Sequence, residues 1–301
     1  FALQSTLECA EWMSDYYLYP IGQTLFSLLP NALRKAIDAP LYRQRRWFIT
    51  THGKGLPENA LPRAKKQQQL LQLLRTDDER ATGAGLTDAQ LAAQDCSLSV
   101  ARALLKKQLI GSHATIFTPT TAEGCKSLVA ATCLREELPL LGEQSLALQS
   151  ISARSNFRTV LLEGVTGSGK TEVYLQAISR VLDLDQQAIV LVPEIGLTPQ
   201  TIQRFTERFN TVIAVLHSNL SDKDRLAAWH AASTGKAGIV IGTRSAIITP
   251  LKNPGLIIVD EEHDASYKQQ DGLRYNARDI AVMRGKKENI PVILGSATPS
   301  L

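Results

Sequence analysis

The sequence predicts an α/β fold with a parallel sheet in its C-terminal half, and three observations carry that expectation. Six short runs, Val160 to Leu162, Ala188 to Val192, Val212 to Leu216, Ile239 to Ile241, Leu256 to Val259 and Val292 to Leu294, are β-branched and apolar on both faces, as strands buried between helices should be. Stretches with helical apolar spacing separate them, at about Thr171 to Leu182, Pro199 to Phe209, Asp222 to Ala232 and Ala277 to Arg284. Glycine-rich or polar loops follow the strand ends, where open α/β sheets place their ligands.

The first of those loops is the most specific. Between Thr159 and Glu172 the chain reads T-V-L-L-E-G-V-T-G-S-G-K-T-E, so an apolar run breaks into Gly164, Val165, Thr166, Gly167, Ser168 and Gly169 before Lys170 and Thr171 open a helix. Strand, glycine loop and helix in that order bind phosphate through backbone N–H groups, because glycines let successive amides face the anion and the helix presents its positive end. In this pattern Lys170 reaches the β and γ phosphates of ATP and the Thr171 hydroxyl holds Mg²⁺. The run Leu256 to Val259 passes directly into Asp260, Glu261, Glu262 and His263, which puts carboxylates at the same sheet edge. Asp260 is expected to take the metal and Glu261 the attacking water. The fold expected for residues 138–301 is thus a RecA-like parallel-sheet P-loop NTPase lobe.

The chain before it divides into three parts. In residues 1–40, Leu3, Leu7, Ala10, Met13 and Tyr17 recur at helical spacing up to Pro20, and a shorter helix runs from Gln23 to Leu29. This helical connector carries an apolar stripe that needs a covering surface. Residues 41–118 open on a strand candidate, Tyr42 to Thr50, with Arg43, Arg45, Arg46 and Trp47. Three short helical patterns follow, Arg63 to Arg75, Asp88 to Gln94 behind the cap Thr87, and Ser99 to Gln108, and then a β-like Ala114 to Phe117. That order suggests a small winged-helix domain, with Arg102, Lys106 and Lys107 on its third helix, a surface that reads DNA or docks protein. Residues 119–137 form a linker with room for a helix from Ala122 to Leu134.

Composition sets outer bounds. Across 301 residues, 44% are hydrophobic and 21% charged, and the net charge of +4 is small enough that any nucleic-acid surface must come from local clustering. Cys9, Cys96, Cys125 and Cys133 form no C-x-x-C pair, which argues against a disulfide framework or a zinc site here and suits a reducing cytoplasmic setting. No apolar run approaches the ~20 residues of a membrane span, and no membrane partner is expected. The chain opens without Met and stops just after a motif, so it is expected to be a piece of a longer protein.

Three further strings follow strand ends: V-P-E-I-G-L-T-P-Q-T from Val192, G-T-R-S-A from Gly242 and G-S-A-T-P-S from Gly295. Together with D-E-E-H they resemble superfamily 2 helicases, Asp260 to His263 as motif II, Gly295 to Pro299 as motif III and the other two as the DNA-contacting motifs Ia and Ib. The strings G-V-T-G-S-G-K-T-E-V-Y and D-E-E-H-D-A-S-Y-K-Q-Q-D-G-L-R-Y-N-A-R-D are similar more narrowly to the bacterial primosomal replication-restart helicases, the primosomal protein N′ family, over essentially the whole chain.

That resemblance implies ATP-driven 3′→5′ unwinding at stalled or collapsed forks and D-loops, followed by primosome assembly. It implies as partners forked and single-stranded DNA, primosome proteins and single-stranded DNA-binding protein. It also implies coupling through His263, Ser296 and Thr298, and DNA contacts from Thr198, Thr243 and Arg244. In the loop from Tyr267 to Arg278, Tyr267 and Tyr275 would stack on bases while Lys268, Arg274 and Arg278 meet phosphates. Leu138 to Gln144 resembles the family's Q segment, so Gln144 either reads the adenine edge or is a surface glutamine. An N-terminal domain, a second lobe with an arginine finger, and a zinc insertion in that lobe would lie outside these residues. A rival reading is a fork-binding scaffold with ATP secondary, or another superfamily 2 translocase.

Overall fold

The computed structural model describes residues 2–34, 43–57, 64–79, 85–94, 96–116, 137–152, 156–165 and 167–299. The expected linker helix and Thr166 fall outside them. Residues 40–117 form one compact unit, and residues 1–39 with 118–301 form another. Among the described residues no helix is long and apolar enough to cross a membrane.

The larger unit begins with α1 (Ala2–Tyr16) and α2 (Ile21–Leu28). The first helix gives way to a left-handed Leu18 (φ +50°), and Pro20 stands at the N-cap of the second. Of the apolar stripe foreseen in the sequence, Ala10 and Met13 are buried, together with Cys9 and Leu28, in the same core as the sheet residues Leu191, Ala214 and Val259, whereas Leu7 is exposed. The connector is therefore part of the lobe.

In the smaller unit β1 (Arg43–Ile49) is followed by α3 (Thr51–Lys54), α4 (Lys65–Glu79), β2 (Leu86–Thr87), α5 (Asp88–Ala93), α6 (Leu98–Lys106) and β3 (Ile110–Ile116). β1 is central and pairs antiparallel with β2 and β3. β3 begins four residues earlier than its β-branched stretch suggested, because Ile110 already pairs with Ile49. Trp47 is fully buried among Leu70, Leu74, Leu91 and Leu104, and its indole N–H donates to Asp88 Oδ1 at 2.6 Å. Thr87 caps α5 in a reciprocal box with Gln90. Arg45 lies over the Trp47 ring and Arg46 donates to the Gly85 carbonyl.

The rest of the larger unit alternates α7 (Gly142–Ser152), β4 (Arg158–Glu163), α8 (Lys170–Asp183), β5 (Gln187–Leu191), α9 (Pro199–Arg208), β6 (Val212–Leu216), α10 (Asp222–Ser233), β7 (Ala237–Gly242), β8 (Pro254–Val259), α11 (Ala277–Glu288) and β9 (Pro291–Ser296). The six strands β4 to β9 are parallel, in the order β4-β9-β8-β5-β7-β6. One face packs on α7, α8 and Phe205 of α9, the other on α1, α10 and α11. β4 is an edge strand among the described residues, and its Leu161 is 51% exposed, not buried on both faces as its composition suggested.

Nothing in the pattern of residues pointed to Gln187, which opens β5 and is 1% exposed. Its Nε2 donates to the carbonyls of Ala232 (3.0 Å) and Ala237 (2.6 Å), and its Oε1 accepts from the amides of Lys252 (2.7 Å) and Asn253 (3.0 Å). One side chain thus satisfies four backbone groups of two connections. Gln187→Leu keeps the volume and strands those groups, so unfolding in urea should show a loss of about 3 kcal/mol, given ~1–3 kcal/mol per buried group left unpaired. A loss under about 1 kcal/mol would mean water replaces the amide without difficulty.

Candidate functional site

β4 delivers the glycine loop and α8 receives it. Gly167 and Gly169 both have φ +85°, and Gly169 is the residue before the first turn of α8. A Cβ on Gly169 would overlap the Gln144 amide, so glycine is needed there for both conformation and space. Lys170 Nζ donates to the Gly164 carbonyl at 2.5 Å and stands 3.7 Å from Glu261 Oε1. Its ammonium is folded back over its own loop, facing the acidic turn. Gln144 donates from Nε2 to the Ser168 carbonyl (2.7 Å) and accepts at Oε1 from the Leu141 amide (2.9 Å). Both ends of this amide are engaged with backbone, so it fastens the loop.

The acidic turn is set by the strand ends beneath it. The Asp260 amide donates to the Leu191 carbonyl (2.9 Å), and the Glu262 amide to the Gly295 carbonyl (2.9 Å). Glu261 takes φ +46°, a left-handed conformation uncommon for a residue with a side chain and found most often where geometry matters to function. Asp260 Oδ1 accepts from the Tyr174 hydroxyl at 3.0 Å, and the Tyr267 hydroxyl donates to the Asp260 carbonyl at 2.6 Å. Burial pushes the Asp260 carboxyl above the usual carboxylate range. The Tyr174 hydrogen bond opposes that shift, the Glu261 charge adds to it and the Lys170 charge again opposes it. Burial and the Asp260 charge likewise push the Tyr174 phenol up, so it stays a donor.

A single cavity of about 670 Å³ is lined by Gly167, Gly169, Lys170 and Thr171 on one side and Asp260 and Glu261 on another. The donor set suits Mg²⁺: one hydroxyl and one carboxylate leave positions for water and phosphate oxygens, as this ion prefers.

From Glu261 a short polar path leads to the end of β9. Its Oε2 lies 3.4 Å from the Ala297 amide and 3.8 Å from His263 Nδ1. His263 Nδ1 is 2.7 Å from the fully buried Ser296 hydroxyl, and its Nε2 is 3.4 Å from Thr298 Oγ1. Ser296 also accepts from the Thr298 amide at 3.0 Å. The structure brings together the three residues that the resemblance named for coupling.

The residues named for DNA contact are placed less uniformly. Tyr267 is 1% and Tyr275 7% exposed, both packed in the core with Leu273. Their rings are turned into the core and present no exposed face. Burial raises the Tyr275 phenol to about 12, consistent with its enclosure. Arg278 donates from Nη1 to Glu262 Oε2 at 2.8 Å, and Glu262 is 5% exposed. Its guanidinium neutralises a buried carboxylate and is not a free phosphate ligand. Thr243 is buried, 7% exposed. Arg244 donates to the carbonyls of Ser266 (3.0 Å) and Lys268 (2.9 Å), holding the loop from below. Thr198 caps α9 through the Thr201 amide. Lys268 and Arg274 are exposed.

Sequence reasoning missed Tyr174, Glu262 and the connector residue Tyr17. A Cβ on Gly295 would overlap the Tyr174 hydroxyl, so the glycine of that motif makes room for the tyrosine that holds Asp260. The signal available was an aromatic one turn after Lys170. Tyr17 accepts from the Asn276 amide at 3.0 Å, with the Lys268 ammonium 5.4 Å from its ring centroid.

A parallel six-stranded sheet with a glycine loop ahead of one helix and paired carboxylates at a nearby strand tip defines a nucleotide-binding lobe of RecA type. The DEAD/DEAH box helicase family matches residues 143–300, and the chain belongs to that family. It is similar to replication restart protein PriA of Haemophilus influenzae, 45% identical over 294 residues that cover 96% of this chain and 38% of that protein. It is also similar to PriA of Chlamydia muridarum, 40% identical over 304 residues, again 96% of this chain and 38% of the relative. The Bacillus subtilis PriA is 40% identical over 243 residues, 79% of this chain and 29% of that protein. The chain therefore spans well under half the length of these relatives. Among solved structures, RecG bound to a three-way DNA junction superposes with a TM-score of 0.41 at 24% identity, over 54% of this chain and 21% of that one.

The position of Gln144 yields a test. Gln144→Ala removes the tie on Ser168, so affinity for ATP and for inorganic triphosphate should fall together, by roughly five- to tenfold for a loop hydrogen bond near charge. A loss confined to ATP in titration calorimetry would restore Gln144 as a base reader.

Proposed function

We propose that this chain is the ATP-binding lobe of an ATP-dependent 3′→5′ DNA helicase that recognises stalled or collapsed replication forks and D-loops and starts primosome assembly. The observation that carries the reading is the single cavity in which Lys170 stands 3.7 Å from Glu261 and shares the lining with Thr171 and Asp260. The similarity to PriA along nearly the whole chain supports the replication-restart role, the polarity, and the partners: forked and single-stranded DNA, primosome proteins and single-stranded DNA-binding protein.

In this reading the loop amides and Lys170 hold the phosphates, and Thr171 and Asp260 hold Mg²⁺, which when bound draws charge from the β and γ phosphate oxygens. Glu261 orients the attacking water and accepts its proton. Tyr174 keeps the Asp260 carboxylate aimed at the cavity. His263, bridging Glu261 to Ser296 and Thr298, reports the state of that carboxylate to the end of β9. Lys268, Arg274, Arg244 and Thr198 are the DNA contacts that this geometry leaves in play. Zinc, in this reading, belongs to a second lobe outside these residues. A single RecA-type sheet is present among the described residues, so the chain by itself should hydrolyse ATP slowly and separate no strands.

In the longer protein, Lys170→Ala should abolish unwinding while fork affinity stays within about twofold. Loss of both in a gel-shift and unwinding pair would make the lysine structural. Glu261→Gln should lower DNA-stimulated turnover by about 10² or more, the usual worth of a positioned general base, with ATP affinity kept. Turnover within threefold of the parent would remove Glu261 from the chemistry.

A further inference from the structure

We propose that the outer face of the three-stranded sheet in the smaller unit is a single-strand DNA site, in which an unpaired base stacks on the Phe48 ring. The proposal rests on the reading that DNA is a ligand of this chain.

Charge singles out this unit. Residues 40–117 hold twelve lysines and arginines against six aspartates and glutamates, a net charge of +6, although the whole chain carries only +4. The positive balance that looks small over the whole chain is therefore concentrated here, as in a nucleic-acid-binding module. Within the unit, β1 reads R-Q-R-R-W-F-I and β3 reads I-G-S-H-A-T-I, so neither strand contains a carboxylate.

The strand register sorts these residues onto two faces. Trp47 and Ile49 are buried with Leu70 and Leu74 of α4, Leu91 of α5 and Leu104 of α6, so the helices cover that face. Arg46 and Phe48 alternate with them and belong to the other. Opposite Arg46 and Phe48 in β3 stand His113 and Gly111, which share the second face.

On it, Phe48 is 38% exposed and His113 is exposed as well. A Cβ on Gly111 would overlap the Phe48 ring, which fills the space above that glycine and reaches across to the neighbouring strand. Its centroid lies 5.4 Å from that of His113, with the planes 43° apart. Ring surface outside the core, on strands that carry cations and no acids, is the combination that meets unpaired bases and their phosphates together. A duplex keeps its bases stacked inside, and an acidic peptide would answer the charge but not the ring.

The test is fluorescence anisotropy on the whole chain with a labelled oligothymidylate, and with a DNA duplex and polyglutamate as comparison anions. Phe48→Leu keeps an apolar side chain over Gly111 without the ring. It should weaken the single strand about tenfold, within the range for one stacked base, and leave both comparison anions within twofold. Its salt slope should match the parent's, because no phosphate contact is lost. Phe48→Tyr keeps the ring and should bind the single strand within twofold of the parent. On the parent chain, an oligonucleotide carrying 5-iodouracil should cross-link to Phe48 on irradiation, a readout that needs no variant to fold. Unchanged single-strand affinity in Phe48→Leu, an equal loss for a comparison anion, a changed salt slope, or cross-links confined to residues outside 43–49 and 110–116 would each overturn the stacking site. A parent chain that fails to bind the oligonucleotide at all removes the DNA reading itself, and the site with it.

Discussion

The structure depends on β9 lying between β4 and β8. Chain order would not place the last strand there, yet its end is hydrogen-bonded to both neighbours: the Gly164 amide donates to the Ser296 carbonyl at 3.0 Å and the Glu262 amide to the Gly295 carbonyl at 2.9 Å. The phosphate loop and the acidic turn are thus fixed to one intervening strand end by backbone bonds, which are short and rotate little. A lysine and a carboxylate on separate elements can stand 3.7 Å apart because three strand tips move as one. The distances in the cavity are set by that frame, in the manner expected of sites carried on rigid elements.

Packing serves the same end. Gly295 leaves the space that the Tyr174 hydroxyl fills, and Tyr174 in turn holds Asp260 Oδ1. A carboxylate pushed toward its neutral form by burial needs such donors to remain charged and correctly turned. The left-handed Glu261 lies beside it, and the cost of its backbone, about 1 kcal/mol or more, is offset by the bonds at Asp260 and Glu262. On the opposite side, the buried Glu262 carboxylate is paired with the Arg278 guanidinium at 2.8 Å. Consecutive acidic residues therefore do three different jobs, set by which way each side chain leaves one tight turn.

The parallel sheet, the glycine loop and the acidic strand tip were legible in sequence because each depends on local rules: buried strands read as apolar runs, a phosphate loop needs glycines at fixed spacing, and a helix follows it. What could not be read was pairing at long range. Tyr267 and Tyr275 look like exposed aromatics among Lys268, Arg274 and Arg278, and only the fold shows their rings turned into the core. Arg278 and Glu262 are 16 residues apart, and their bond is closed by the loop between them. Gln187 carried no signal at all, since its four partners belong to connections that meet only in three dimensions. The apolar stripe of α1 announced a cover but not which surface supplies it.

The loop from Tyr267 to Arg278 shows how the connector and the site are joined. From below, Arg244 holds its carbonyls at Ser266 and Lys268; from the side, Tyr17 takes the Asn276 amide and sits beneath Lys268. Its two tyrosines are inside, and the charges of Lys268 and Arg274 are exposed. Attraction of an anionic ligand to those charges therefore pulls on a segment whose inner anchor is the Tyr267 hydroxyl on the Asp260 carbonyl, 2.6 Å away. Drawing Tyr267 outward would remove that one bond, while the Asp260 and Glu262 amides still hold the turn on the Leu191 and Gly295 carbonyls.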